Sequence, residues 1–488
     1  MADNPSTRRR PNVVVVLADD LGWGDLSCQG ARAINTPNID ALARRGQRFT
    51  DAHATSAVCT PSRYSLLTGA YPWRSPLKSG VLGGADPAII ASDAPTIARD
   101  LQSLGYSTGA FGKWHLGLGW RRLDGTVADA FATGFASDMQ GHGRDIDYSA
   151  PFCGGPTALG FDRFFGISGS LDMPPYCFLD QDRAVGVPLE EKRELVSSQR
   201  PGLQAPGWRD DAVDTSVTAE AVTWIGEQRC AGREFFAYIA TAAPHRPCVP
   251  PAFVEGATEA GPRGDSVALV DWIVGQLVAA LGDDLDRTLI FFTSDNGAPT
   301  MFPDDGDAVS HRPNGPWRGQ KADAWEAGHR VPLIVAGPGI TAGVCPDLVS
   351  LMDIRRTMVE AVDPDGSPHG VAGDGESLAR QLSDGRRAVA VPDSTPADGP
   401  GDRLLGQQAY DGTLVLRRGT AKAIFGTGSG GFSSPVGKPD DSGWGPGQFY
   451  ELATDPVETR NLWTDRAAEA RNMIDNFKHR TGFMRGTR

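Results

Sequence analysis

Residues 13–20 read VVVVLADD: six apolar residues, then at once two carboxylates. A run this short and apolar at every position has the character of a strand buried on both faces, the kind found in parallel sheets. Residues 108–111, 235–240, 288–293 and 332–336 share that character. Helical patterns alternate with them. Residues 36–45 (TPNIDALARR) open with a Thr cap and a Pro in the first turn, and residues 93–104 and 215–228 carry helical apolar spacing. Strand and helix in alternation predict an α/β fold, with a mostly parallel central sheet flanked by helices.

The polar residues at the ends of these apolar runs point to a site. VVVVLA ends in Asp19 and Asp20; TGAFG runs into Lys113 and His115; FFAYIATAAP runs into His245; TLIFFTS ends in Asp295 and Asn296. Ligands of open α/β sheets bind at the carboxyl ends of the strands, so these groups should share one crevice. Taken singly, an acidic pair after a strand is usually a solvated turn, and Asp-Asn-Gly is a good turn anywhere. Four such coincidences at one sheet edge are harder to assign to turns. Carboxylates from two strand ends plus an amide oxygen make an all-oxygen cage, suited to Ca2+ or Mg2+ rather than zinc.

Residues 57–69 read AVCTPSRYSLLTG. Pro61 and Ser62 can start a helix, which places Cys59 at its N-terminal end, where unpaired N–H groups favour an anion. Arg63 lies one turn on and reaches the same place. A thiolate beside a hard cation is a poor match of donor to metal, so an oxygen nucleophile derived from Cys59 makes better chemical sense.

Composition sets the outer limits. The 488 residues suffice for a sizeable core, and 60 Gly with 36 Pro indicate long shaped loops. A net charge of −13 argues against nucleic acid as a partner. Seven cysteines without Cys-x-x-Cys spacing read as reduced thiols. Only six apolar residues follow the Arg-rich start, too few for a signal core or a span, so a cytoplasmic protein with no membrane partner is expected. Residues 118–210 break into Gly- and Pro-rich segments that read as a loop-built pocket wall. Residues 392–403 read as a linker, which divides the chain into a catalytic unit, 1–391, and a small unit, 392–488. The latter holds a hairpin, residues 412–416 with 422–425, a Gly/Ser/Pro-rich loop, 426–447, and a helix over 465–479.

Cys59-Thr60-Pro61-Ser62-Arg63 followed by Leu67-Thr68-Gly69 resembles the signature of type I sulfatases, whose cysteine is oxidised to Cα-formylglycine. ADDLGWGDLSCQG (18–30), GKWHLG (112–117), APHRP (243–247), TSDNG (293–297), NGPWRGQKADAWEAGHRVPLIVAGPG (314–339) and FYELATDPVETRNL (449–462) resemble family segments in the same order, over nearly the whole chain. The resemblance implies an alkaline-phosphatase-like fold with a small C-terminal domain that contains an antiparallel sheet. It implies Ca2+, or Mg2+, on Asp19, Asp20, Asp295, Asn296 and the oxygen formed at Cys59. By the same resemblance Arg63 polarises the hydrate, Lys113 and Lys321 grip sulfate, and His115 and His245 serve nucleophile and leaving group. The reaction implied is hydrolysis of a sugar or aryl sulfate monoester through a covalent sulfo-enzyme intermediate, after maturation by a formylglycine-generating enzyme. His311 and His329 flank the Lys321 segment and are candidates for the substrate pocket. Two other readings compete: a formylglycine-dependent phosphonate or phosphate ester hydrolase, and a catalytically silent protein that binds sulfated glycans. Oligomeric state is not legible in the sequence.

Overall fold

The computed structural model describes residues 9–139, 141–302, 311–364, 366, 373–383, 403–439 and 445–483. In chain order the strands are β1 (Asn12–Ala18), β2 (Gly46–His53), β3 (Ser107–Lys113), β4 (Arg163–Ile167), β5 (Phe178–Asp180), β6 (Arg183–Val185), β7 (Glu190–Glu191), β8 (Leu203–Gln204), β9 (Phe235–Ala240), β10 (Thr288–Ser294), β11 (Leu333–Ala336) and β12 (Gly343–Ser350). Ten of them form one sheet in the order β12-β2-β11-β10-β1-β9-β3-β4-β5-β6, while β7 and β8 pair apart. β1 lies between β10 and β9, parallel to both; β3 continues the parallel run beyond β9, and β4 beyond β3.

The valine run explains the centre of this sheet. Side chains alternate across a strand, so Val13, Val15 and Leu17 enter one apolar cluster while Val14, Val16 and Ala18 enter another on the opposite face. The helices are α1 (Pro37–Arg45), α2 (Cys59–Thr68), α3 (Ile97–Ser103), α4 (Val213–Cys230), α5 (Gly261–Leu281), the single turns α6 (Glu326–His329) and α8 (Ala379–Leu382), α7 (Asp353–Val362) and α9 (Trp463–Thr481). Residues of α1, α4 and α5 fill the second cluster; those of α2, α3 and α7 fill the first. By length and composition one stretch, Gly261–Arg287, could cross a membrane, yet 61% of its apolar window is buried inside the protein. It is a core helix of the second cluster.

Residues 332–336 do form a strand, but β11 runs antiparallel to both β10 and β2. An all-apolar run reports burial on two faces and carries no information on direction. In residues 93–104 the helix begins only at Ile97, with Thr96 as its cap and Pro95 holding the chain extended before it. Residues 118–210 are loops carrying the short strands β4 to β8.

In the C-terminal part, β13 (Leu404–Gln408), β14 (Leu414–Arg418), β15 (Ala421–Thr427) and β17 (Gln448–Glu451) pair antiparallel, with β16 (Lys438–Pro439) beside β15. The expected hairpin is β14 and β15, turning at Gly419 and Thr420. α9 closes one face of this sheet: Ala470, Met473, Ile474 and Phe477 share a cluster with Leu405, Leu414 and Leu416. The 391/392 boundary and most of the expected linker lie outside the described residues. None of the seven cysteines is paired with another.

Candidate active site

The carboxyl ends of β1, β3, β9 and β10 meet above the sheet centre. Asp19 and Asp20 leave β1, Lys113 ends β3 and His115 follows it, His245 follows β9, and Asp295 and Asn296 leave β10. All seven are buried, at most 8% exposed. Asp20 and His115 adopt left-handed backbone, with φ of 64° and 55°, a costly conformation for a residue with a Cβ that tends to be kept where geometry must be fixed.

α2 starts at Cys59, two residues before Pro61; the missing N–H of Pro61 costs nothing in a first turn. The thiol lies 3.4 Å from Lys321 Nζ and 3.6 Å from Asp19 Oδ1. Burial pushes it above the ordinary thiol range, against the pull of Lys113 and Lys321, so a thiolate is disfavoured. One turn along, Arg63 donates through Nε and Nη2 to Asp295 Oδ2 at 2.9 and 2.7 Å, and through Nη1 to the Lys113 carbonyl.

The charges are closely matched. Lys113 Nζ donates to Asp19 Oδ2 at 2.6 Å, and Lys321 Nζ to Asp20 at 2.7 Å. Burial works to raise the carboxyls of Asp19 and Asp20, but the cations win and both are held below the usual range. Asp20 holds Lys321 well above its ordinary value against the same burial.

Asn296 Nδ2 donates to Asp20 Oδ1 and to the Gly297 carbonyl, which turns Oδ1 the other way; among the described residues that buried oxygen has no partner. Ligand atoms of Asp19, Asp20, Cys59 and His245 lie within 4.8 Å of one another. Asp295 keeps Oδ1 on the Asp20 N–H at 3.2 Å. Buried carboxylates of Asp19, Asp20 and Asp295, with the Asn296 amide bonded to Asp20 and its oxygen uncommitted, supply the oxygen donors a hard divalent cation takes, so the chemistry of these residues fits Ca2+ or Mg2+.

The two histidines are held differently. His115 Nε2 lies 2.8 Å from the Leu82 carbonyl, which can only accept, so Nε2 carries the proton. Burial, with Lys113 beside it, keeps the ring neutral, which leaves Nδ1, buried and without a partner among the described residues, as a base. His245 Nδ1 donates to the Arg246 carbonyl at 2.7 Å, and Nε2 sits 3.6 Å from Asp20 Oδ2. The loop carrying His245 is tied down by Asp214 of α4, whose two oxygens accept the Ala242 and Ala243 N–H groups at 2.8 Å each; burial raises this carboxyl to about 6.

A cavity of about 260 Å³ opens over these groups, lined by Asp20, Cys59, His115, His245 and Lys321 together with wall residues such as Asp172, Arg200 and Tyr410. Neither His311 nor His329 lines it. His311 Nε2 bonds Asp25 at 2.8 Å, and Asp25 pairs with Arg263, which donates to the Asp20 carbonyl; His311 thus stands behind the carboxylate cage. His329 is fully enclosed at the contact with the C-terminal sheet, its Nδ1 2.9 Å from His53 Nδ1 and its Nε2 3.4 Å from Lys422 Nζ. Proximity to Lys321 in sequence does not carry to the cavity, because α6 turns His329 towards β14 and β15.

Several contributors carry no sequence signal of their own. The Cys59 loop is braced by the C-terminal sheet: Ser56 bridges Gln408 of β13, Ala57 N–H donates to the Gln408 carbonyl at 2.8 Å, and Gln408 N–H to that of Thr55. Tyr410 and Phe432 reach the cavity from the same unit. Only Arg246, adjacent to His245 in APHRP, could have been singled out from the motif.

The family model described as Sulfatase matches residues 11–364. The chain belongs to the sulfatase family. This sulfatase is 32% identical to an N-acetylgalactosamine-6-O-sulfatase of Bacteroides thetaiotaomicron, over 94% of this chain and 91% of that one. It is 31% identical to human arylsulfatase A, over 95% and 85% of the two chains. A solved Bacteroides thetaiotaomicron protein (6S-sulf), reported with the metabolism of multiple glycosaminoglycans, superposes at a TM-score of 0.79 with 28% identity, covering 98% of this sulfatase and all of its own chain. The enzyme class and the alkaline-phosphatase-like fold follow.

Proposed function

We propose that this sulfatase hydrolyses a sulfate monoester of a carbohydrate through Cα-formylglycine made from Cys59. The observation that carries the reading is the setting of Cys59: an enclosed thiol, disfavoured as thiolate, at the floor of the cavity between the Lys321 ammonium and the Asp19 carboxylate. A thiol there is a weak nucleophile. The hydrated aldehyde, once formed by a formylglycine-generating enzyme, supplies two hydroxyls: one to bond sulfur, the other to lose its proton as sulfate leaves. Ca2+, or Mg2+, held by Asp19, Asp20, Asp295, Asn296 and the oxygen at position 59, would supply Lewis-acid polarisation.

The chain's own residues do the rest. Arg63, fixed on Asp295 one turn of α2 beyond position 59, favours negative charge at that end of the helix. Lys113 and Lys321 present ammonium groups to the non-bridging sulfate oxygens. His245, oriented by the Arg246 carbonyl, protonates the departing alkoxide oxygen, and neutral His115 offers Nδ1 to the proton of the second hydroxyl. A sugar leaving group is favoured by the 32% identical N-acetylgalactosamine-6-O-sulfatase.

The test is the mass of the peptide spanning Cys59, from protein made in its native host or with a formylglycine-generating enzyme, alongside inorganic sulfate release. Aldehyde or hydrate, with turnover lost in Cys59→Ser, is the expected result. An unmodified thiol in protein that still turns over sulfate esters would sink the formylglycine route; bound sulfated glycan that is never cleaved would favour a silent binding protein.

A further inference from the structure

Asp19 and Asp20 follow each other at the end of β1, and in an extended chain consecutive side chains point to opposite faces. Both carboxylates nevertheless enter one cage, with ligand atoms within 4.8 Å of each other. The left-handed backbone of Asp20, φ 64°, breaks the alternation and brings the second carboxylate round to the first. Such a conformation on a residue with a Cβ persists only where its surroundings impose it. Three hydrogen bonds do so. Asp20 N–H donates to Asp295 Oδ1 at 3.2 Å, Leu21 N–H donates to Ser294 Oγ at 3.0 Å, and the Asp20 carbonyl between them accepts from Arg263 Nη2 at 3.0 Å.

The first two bonds join the neighbouring ends of β1 and β10. The third comes from the first turn of α5 and is itself held in place. Arg263 Nη1 and Nη2 donate to Asp25 Oδ1 and Oδ2 at 2.9 and 2.6 Å, a bidentate pair. The same two oxygens also accept from His311 Nε2 at 2.8 Å and from the Gly22 N–H at 2.7 Å. Asp25 is fully enclosed and Arg263 only 6% exposed. The turn has no slack on its other side, since a Cβ at Gly22 would lie 2.1 Å from the Pro313 carbonyl oxygen. A guanidinium suits this place because its rigid fork can span a carboxylate while another N–H of the same plane reaches a carbonyl. Asp25, Arg263 and His311 are not among the residues that line the cavity, so contact with substrate does not account for them.

We propose that Arg263, clamped by Asp25, is a positioning residue that holds Asp20 in its left-handed turn and so sets the affinity of the carboxylate cage for a divalent cation. It touches neither ion nor substrate; it keeps the geometry in which two consecutive carboxylates face one point. The proposal rests on the reading of that cage as a cation site.

The experiment is calorimetry of Ca2+ binding to the chelator-stripped protein, for wild type, Arg263→Lys and, as a control, Arg355→Lys. Arg355 is another enclosed arginine; it bridges the Asp100 carboxylate and the Thr68 carbonyl, at the end of α2 remote from Cys59. Lysine keeps the charge of Arg263 but cannot span Asp25 and reach the Asp20 carbonyl together, so the Kd for Ca2+ should rise about 10- to 100-fold. Arg355→Lys should lower Tm and leave that Kd within about 3-fold of wild type. An unchanged Kd in Arg263→Lys would overturn the proposal and leave the cation site standing. An equal rise in Arg355→Lys would overturn it too, since it marks a general effect of lost stability. No binding of Ca2+ or Mg2+ to the wild type would overturn the cage reading itself, and the proposal with it. If Arg263→Lys does not fold, Arg263→Met combined with Asp25→Asn, which removes both buried charges together, is measured in its place, with the same rise expected and an unchanged Kd again overturning the proposal.

Discussion

His53 and His329 face each other through their Nδ1 atoms, 2.9 Å apart and wholly enclosed between the catalytic sheet and the C-terminal sheet. His53 Nε2 donates to Asp51 at 2.8 Å, so its Nδ1 accepts from His329 Nδ1. His329 Nε2 lies between the Ala324 carbonyl at 3.2 Å and Lys422 Nζ at 3.4 Å. A proton added to His53 Nδ1 would set donor against donor.

Burial accordingly holds both rings below the ordinary 6.5, His329 well below. Between its lowered folded value and 6.5 each ring binds fewer protons when folded than when unfolded, so its contribution is complete above 6.5 and is lost as pH falls from there. Glu326, which Arg417, Lys422 and Arg330 hold well below the carboxylate range, acts in the same direction at lower pH. Melting curves from pH 8 to 5 should show a falling Tm, with a shallower slope in a variant lacking both rings, His53→Gln with His329→Gln. Equal slopes would disprove the assignment.

Asn296→Ala should weaken Ca2+ binding while leaving the fold in place. At saturating Ca2+, about 100 times its Kd, the wild type should gain about 2.7 kcal/mol over the chelated protein, a gain the variant loses in part. Differential scanning calorimetry with and without chelator measures it. A Tm insensitive to both Ca2+ and Mg2+ would remove the ion from the mechanism.

Arg63→Ala leaves the Asp295 carboxylate buried without its bidentate partner. Breaking one side of such a pair costs about 3–5 kcal/mol, so chemical denaturation should show a large loss and sulfate release should fall below detection. Arg63→Lys restores the charge without the fork and should recover stability better than turnover.

Asp214→Asn keeps shape but replaces one of two acceptors, so one N–H at Ala242 or Ala243 meets an amide NH2. The expected effect is about 1–3 kcal/mol at the loop that carries His245, read as a lower kcat with 4-nitrophenyl sulfate and little change in KM. A change confined to KM would place Asp214 outside the positioning of His245.

The polar groups at the strand ends were legible because both signals are local: an all-apolar run reports burial on two faces, and the next residues report the sheet edge. β2 was not legible, since GQRFTDAH is polar at positions its neighbours cover. α5 was missed for the opposite reason: apolar residues surround it, so no face stands out. Asp172, Ser170 and Tyr410 sit on irregular loops, and only the folding of residues 118–210 and of the C-terminal unit brings them to Cys59. His329 shows the converse error. Its neighbour Lys321 reaches the cavity, but one turn of helix and two later strands send the ring into the protein.

Cys59 is 2% exposed, and its loop is bridged by β13, near the C-terminal end of the chain. During synthesis, residues 55–63 leave the ribosome long before residue 408 does, and until then no β13 exists to close over them. On the proposed formylglycine route, an enzyme that oxidises the first residue of Cys59-Thr60-Pro61-Ser62-Arg63 would work against a clock set by translation. Once the last strands dock, a cysteine that was passed over is sealed in.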